Sequence, residues 1–197
     1  NTENYQNLPE RLTKENWKGF IPDLTNYHQA AFAFDDKGLA VDGSHWVAFN
    51  YKPFPGTFWP TNGSTDDVVI RLPKKFREIN GVFNSDIYFS NLTILELNLK
   101  NIDTTTLWEI DEEQLSIDLN QDGEIASTST ITKRTHYIGD ASNILVEFQQ
   151  FPQGTELMHS VRYIGTNDED NIFIPARMKE LRYMRKVNVL DRYIINS

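Results

Sequence analysis

The sequence predicts an α+β fold that is rich in β structure, with antiparallel sheets, one or two short helices and a long aromatic, proline-rich loop. Three observations carry this. Short runs of aromatic and β-branched residues recur between turn residues, as in Val68-Val69-Ile70-Arg71-Leu72 before Pro73, which is the pattern of strands closed by turns. Helical spacing of apolar residues is confined to two short stretches, Leu92 to Leu99 and Met178 to Met184. Residues 52–66 hold three prolines and two glycines, which deny that segment a regular ladder.

Along the chain, residues 1–16 are polar and are expected to form an arm, and residues 17–197 a single globular domain, a length that buries one core well. Residues 31–38 and 46–51 are aromatic-rich runs joined to turn residues and read as the two strands of a hairpin. In residues 52–66, Phe54, Phe58 and Trp59 need either burial or a partner, so the segment is a packed loop or a recognition surface. Residues 68–72 form a strand stopped by Pro73. Residues 90–99 carry both a helical face (Leu92, Leu95, Leu99) and a strand-like alternation (Leu95, Leu97, Leu99), and Ser90 as a possible cap tips the reading towards helix. Strands are expected at 114–120 and 125–133 around Asp122-Gly123, and another pair at 143–149 and 157–164. The stretch 177–186 places Met178, Leu181 and Met184 three apart among basic residues, the spacing of a short amphipathic helix. Its Arg182, Arg185 and Lys186 would then form a cationic strip for an acidic partner.

Composition removes several functions. The net charge of −9 opposes the phosphate attraction on which nucleic-acid binders depend. No apolar run is long enough to span a bilayer. The chain has no cysteine, which removes disulfides, thiolate metal sites and covalent haem attachment. No H-E-x-x-H, G-x-S-x-G, P-loop or strand-borne G-x-G-x-x-G occurs. His28, His45, His136 and His159 stand 17, 91 and 23 residues apart, which matches no compact metal-ligand spacing.

One stretch names a ligand. In Asp118-Leu119-Asn120-Gln121-Asp122-Gly123-Glu124-Ile125, oxygen donors fall at the first, third and fifth positions. Glycine stands at the sixth, Glu124 can offer its carbonyl at the seventh, and an apolar residue follows. This is the first half of a calcium loop of the EF-hand or dockerin kind. The second half is absent: Ala126 and Ser129 stand at the ninth and twelfth positions, so a further carboxylate must come from elsewhere, with Asp111, Glu112, Glu113 and Asp140 the nearest in sequence. The competing reading is an acidic hairpin turn. Weak calcium binding fits a periplasmic or secreted location, where the ion is abundant. Met158 and His159, with Met178 and Met184, are the candidate ligands for haem iron or copper, against a plain packing role. Paired acids such as Asp66-Asp67 leave a hydrolase open.

Residues 51–67 (Tyr-Lys-Pro-Phe-Pro-Gly-Thr-Phe-Trp-Pro-Thr-Asn-Gly-Ser-Thr-Asp-Asp), residues 154–163 and residues 177–186 resemble bacterial cell-envelope proteins associated with c-type cytochromes. The resemblance runs from about Trp46 to Lys186 and implies a redox partner, although this chain departs from a cytochrome in lacking haem-binding cysteines. The expected function is an extracytoplasmic calcium-binding accessory or interaction module, more an adaptor than an enzyme, with a redox protein as partner. The alternatives are a hydrolase using a carboxylate pair, and an electron carrier with non-covalent haem or copper at His159 and methionine.

Overall fold

A computed structural model describes residues 21–25, 33–48, 64–163, 165–173 and 178–190. It is β-rich, with antiparallel sheets and, among the described residues, two α-helices. The central sheet has four strands in the order β1-β2-β7-β10: β1 is Val47–Ala48, β2 Ser64–Arg71, β7 Glu156–Tyr163 and β10 Met178–Arg185. Every neighbouring pair is antiparallel.

Register decides what each face buries, because successive side chains in a strand point to opposite sides. Val69, Met158 and Tyr183 lie side by side across three strands. With Leu181, they cover a small core made with Leu24, Ala40 and Trp46. The next row, Ile70, Leu157 and Met184, is on the other face, where Ile70 and Leu157 join the main core. Met184 lies on β10, at the end of the sheet, and is 54% exposed.

The main core is organised by α1, Ser85–Lys100. Asn84 caps its N-terminus by accepting from the Ile87 N–H at 2.9 Å, and Asn101 ends it in a left-handed conformation (φ 54°), a position that asparagine tolerates well. Ile87, Tyr88, Ile94, Leu95 and Leu97 are buried on the helix. One polar residue there is structural. Asn91, 0% exposed, donates to the Phe76 and Ile138 carbonyls at 3.0 and 3.1 Å and accepts from the Ile138 N–H at 2.9 Å. It thereby ties the helix to the 3-10 turn Lys74–Arg77 and to the segment before a second 3-10 turn, Gly139–Ala141.

Between β2 and α1 sits a two-stranded hairpin, β3 (Glu78–Ile79) and β4 (Val82–Phe83). Its turn residues Asn80 and Gly81 both have positive φ, 54° and 76°, as a type I′ turn requires. Gly139, at φ 65°, approaches this hairpin so closely that a Cβ would lie 2.5 Å from the Glu78 carbonyl oxygen. Beyond α1, β5 (Thr104–Asp111) pairs with β6 (Ser127–Thr132), with an irregularity between Thr106 and Ile110. A second short helix, α2 (Glu112–Leu115), follows β5 directly. A last ribbon pairs β8, Gly165–Thr166, with β9, Ile172–Phe173. No described helix is long and apolar enough to cross a membrane.

Several expectations are corrected. The stretch 177–186 is a strand in its described part, not a helix. Its Leu181 and Tyr183 alternate inward beside β7, and this pairing outweighs the local three-residue spacing of Met178, Leu181 and Met184. Residues 114–120 are no strand: α2 covers the first two, and Ser116 turns the chain at φ 54°. Residues 143–149 make one isolated bridge, Leu145 to His136. The expected hairpin is present in part, since Leu39 bridges Val47 and Ala48 N–H donates to the Gly38 carbonyl, but Val47–Ala48 also pairs with β2, and Phe34 bridges Ala40. The 90–99 helix and the strands at 68–72, 125–133 and 157–164 match β or α elements at those places. The arm 1–16 lies outside the described residues.

Candidate functional site

The Asp118 loop hangs from the β5–β6 ribbon, between α2 and β6. Asp111 closes β5 and caps α2, accepting from the Glu113 N–H at 3.0 Å. That capping directs the next residue, Glu112, inward. Glu112 is 1% exposed. One of its carboxylate oxygens accepts from Leu119 N–H at 2.6 Å and from Asn120 N–H at 3.4 Å; the other accepts from Ala126 N–H at 3.1 Å. A buried carboxylate needs such donors, and here they belong to both ends of the loop. The Glu112 N–H also donates to the Ala126 carbonyl, at 3.2 Å. From the β6 side, Thr132 Oγ1 donates to the Asn120 carbonyl at 2.7 Å, and Arg134 donates to the Asp118 carbonyl.

Inside this frame the side-chain oxygens turn back on the loop. Asp118 Oδ2 accepts from Gly123 N–H at 3.0 Å, Asn120 Oδ1 from Asp122 N–H at 3.1 Å, and Asp122 Oδ1 from Glu124 N–H at 2.9 Å. Asn120 Nδ2 donates to Asp122 Oδ2 at 2.8 Å. Gly123 has φ 90°, and Gln121 φ 60°, so the sharp turn falls where the glycine allows it. The other Asp118 oxygen, Oδ1, is enclosed and has no hydrogen-bond partner among the described residues. An enclosed, unpaired carboxylate oxygen is costly, and a cation would satisfy it. Glu124 is exposed and could offer its carbonyl rather than a framework carboxylate. No three His, Cys, Asp or Glu side chains gather as a metal cluster among the described residues. Any cation here would be held by Asp118, Asn120, Asp122 and carbonyl oxygens.

The candidate completing carboxylates are otherwise employed. Both Glu112 oxygens are committed to N–H groups, Asp111 is a cap, and Asp140 accepts from Asn80 and Gly81 N–H, each at 2.8 Å. Glu113 is exposed.

The other predicted site residues do not assemble. Met158 and His159 are consecutive on β7 and lie on opposite faces of the sheet. Met158 is 0% exposed in the small core, and Met184 is on the other face and exposed. The basic strip also divides. Arg182 pairs with Glu180 at 2.6 Å, Arg185 falls on the opposite face of the strand, and Lys186 lies beyond it, directed to Gln150 Oε1 at 3.4 Å. The helix that would have aligned these three is a strand. Phe54, Phe58 and Trp59 lie outside the described residues.

Sequence reading missed one polar network. Arg71 donates from Nε to Glu156 at 2.7 Å and from Nη1 to Asp23 at 2.6 Å, with its guanidinium 4.4 Å over the Trp46 ring. Trp46 Nε1 donates to Asp23 at 2.8 Å, and Tyr183 to Glu156 at 2.6 Å. Burial alone would raise the Glu156 and Asp23 pKa values, but these donors and the Arg71 charge hold both below the ordinary carboxylate range. Burial and Glu156 push the Tyr183 hydroxyl up to about 12. The network fastens the N-terminal segment to the sheet. The only signals for it lay in residues far apart in sequence.

Residues 4–195 match the model of a family described as ":-like lipoprotein", and the chain belongs to that lipoprotein family. An uncharacterized lipoprotein of Aquifex aeolicus (strain VF5) is 36% identical over 184 residues, which is 87% of this chain and 29% of the relative. The chain thus spans under a third of that relative's length. No solved structure matches it. Family membership makes it a secreted, envelope-associated protein. Neither description mentions a cytochrome.

Proposed function

We propose that this lipoprotein domain binds calcium at the Asp118–Glu124 loop and uses the ion structurally, as an accessory or interaction module of the cell envelope. The observation that carries the reading is Asp118 Oδ1, enclosed without a partner among the described residues at the first position of a loop whose oxygen order suits a hard cation. Asp118, Asn120 Oδ1, the Asp122 carboxylate and the Glu124 carbonyl would be the protein ligands, with water completing the shell. The chain has no bidentate carboxylate at Ser129, and Glu112 is spent on N–H groups. Affinity is therefore expected in the weak range of extracellular modules, a Kd of about 10⁻⁴ to 10⁻³ M.

Calcium that binds only the folded loop raises stability by linkage. At about 10 mM calcium and a Kd of about 0.5 mM this amounts to about 1.8 kcal/mol, or about 4–7 °C in Tm for a chain of this size. The test is thermal unfolding of metal-stripped protein in calcium and in chelator, with Asp118→Ala and Asp122→Ala alongside. Both variants should lose the increment. Equal melting temperatures for the wild-type chain in the two buffers would sink the proposal.

The redox partner rests on the cytochrome-associated resemblance alone. It predicts that the domain co-purifies with a c-type cytochrome from envelope extracts, and an extract in which haem protein never accompanies it would remove that element. The electron-carrier alternative needs His159 with a methionine; Met158 lies on the opposite face of β7, which leaves the exposed Met184 on the face of His159. A Soret band or stoichiometric copper in isolated protein would support it.

A further inference from the structure

Beside the loop, on the side of Arg134, lies a cleft of about 600 Å3 whose lining includes Asp118, Lys133, Arg134, His136 and Ser142 along with Ile117, Tyr137 and Ile138. Two of the eleven lining residues, Lys133 and Arg134, are cationic and a third is the His136 imidazole, on a chain whose net charge is −9. Arg134 is half-buried. One of its N–H groups donates to the Asp118 carbonyl, and its other donors meet no acceptor among the described residues. It forms no salt bridge there. Burial disfavours its charged form, and the nearby Asp118 and Glu112 charges offset that incompletely. A guanidinium in this condition is a site for a bidentate oxyanion. Lys133 uses its ammonium on Asn101 Oδ1 at 2.8 Å and keeps two donors of its three. The exposed His136 ring meets Thr135 Oγ1 at 3.1 Å through Nδ1, and its Nε2 has no hydrogen-bond partner among the described residues. The Ser142 hydroxyl is exposed at the rim. The acidic member of the lining, Asp118, has Oδ2 occupied by Gly123 N–H and Oδ1 enclosed without a hydrogen-bond partner among the described residues, and its charge acts on the nearby Arg134 guanidinium.

We propose that this cleft is a binding site for a phosphate monoester, with Arg134 as its main anchor and Lys133, His136 and Ser142 as further donors. Four donor residues around one cleft suit a tetrahedral oxyanion with several acceptor oxygens better than a single carboxylate. Asp118 lines this cleft and also leads the calcium loop, so phosphate binding is tested on metal-free protein, where no ion contributes, and the calcium proposal is judged by its own melting assay.

The experiment titrates the metal-free chain at low ionic strength with inorganic phosphate and, separately, with sn-glycerol 3-phosphate. In parallel, it measures retention on phosphatidylcholine vesicles containing phosphatidic acid. Saturable binding is expected, weakened about tenfold or more by Arg134→Gln and unchanged by Lys75→Gln, a cation exposed elsewhere. Because Arg134 also holds the Asp118 carbonyl, Ser142→Trp serves as the second variant: it fills the cleft and leaves that bond intact. It should abolish binding with an unchanged melting curve, and it decides the matter if Arg134→Gln fails to fold. Retention on vesicles alone assigns the phosphate to a lipid headgroup, and binding of the soluble esters assigns it to a small molecule; either supports the site. No saturable binding in any arm, or binding indifferent to both variants, overturns it.

Discussion

Glu112 is the residue on which the Asp118 loop should depend most. In Glu112→Ala the carboxylate that receives Leu119 N–H at 2.6 Å and Ala126 N–H at 3.1 Å disappears, and at 1% exposure little water can replace it. Each stranded donor costs about 1–3 kcal/mol, so two cost about 2–6 kcal/mol, with the Asn120 contact at 3.4 Å adding little. For a chain of this length that is a fall in Tm of at least about 4–8 °C. Glu112→Gln keeps one acceptor oxygen but sets an amide NH2 against an N–H, so it should fall between the two. Glu113→Ala is the control: the same charge is lost from an exposed neighbour, with an expected change within about 0.5 kcal/mol. The assay is urea and thermal unfolding by circular dichroism in chelator, so that bound cation plays no part. If Glu112→Ala unfolds within about 0.5 kcal/mol of the wild-type chain, the carboxylate is not what holds the loop, and the account of its geometry fails.

Three other perturbations probe the frame. Asn91→Leu removes an amide that serves two carbonyls and one N–H in a closed site, and should cost about 2–4 kcal/mol in urea unfolding; a near-neutral result would mean those groups find water. Glu156 and Asp23 have folded pKa values below their ordinary 4.5 and 3.8, so their contribution is complete above those values and is lost as pH falls below about 4.5. The urea midpoint should therefore drop on that acid limb and drop less in Arg71→Gln, and an identical slope in the two proteins would count against the network. Met184→Asp should stay within about 0.5 kcal/mol of wild type while Leu181→Asp destabilises clearly, because β10 turns the first outward and the second into the small core; comparable losses at both positions would restore the helical reading.

What the sequence disclosed and what it hid divide along the range of the interactions. The β-rich α+β class, the strands around Val69, Ile131 and Met158, and the helix containing Leu95 follow from propensity and pattern within about ten residues. The Asn80-Gly81 turn went unread although its signal is local: the dipeptide favours a hairpin, and both residues take the positive φ it needs. The stretch 177–186 misled because Met178, Leu181 and Met184 are three apart while Leu181 and Tyr183 are two apart. Pairing of Leu181 with Ser160 and of Tyr183 with Met158, each more than twenty residues upstream, settles which period counts, and no local window contains those partners.

The same division runs through the candidate site. The ligand order Asp118, Asn120, Asp122 is a matter of spacing along eight residues, and it could be read directly. The members that shape the loop come from outside it: Glu112 before, Thr132 and Arg134 after. Glu112 stood among four nearby carboxylates as a possible ligand, yet its position directly after the Asp111 cap turns it into the frame instead. This has a chemical consequence. A loop whose N–H groups are already held by a buried carboxylate is kept close to its folded shape without metal, so a cation entering at Asp118 Oδ1 would meet a preorganised set of oxygens and pay little ordering entropy. Calcium in such a loop should then tune stability by the modest linkage increment worked out above, without being a condition for folding.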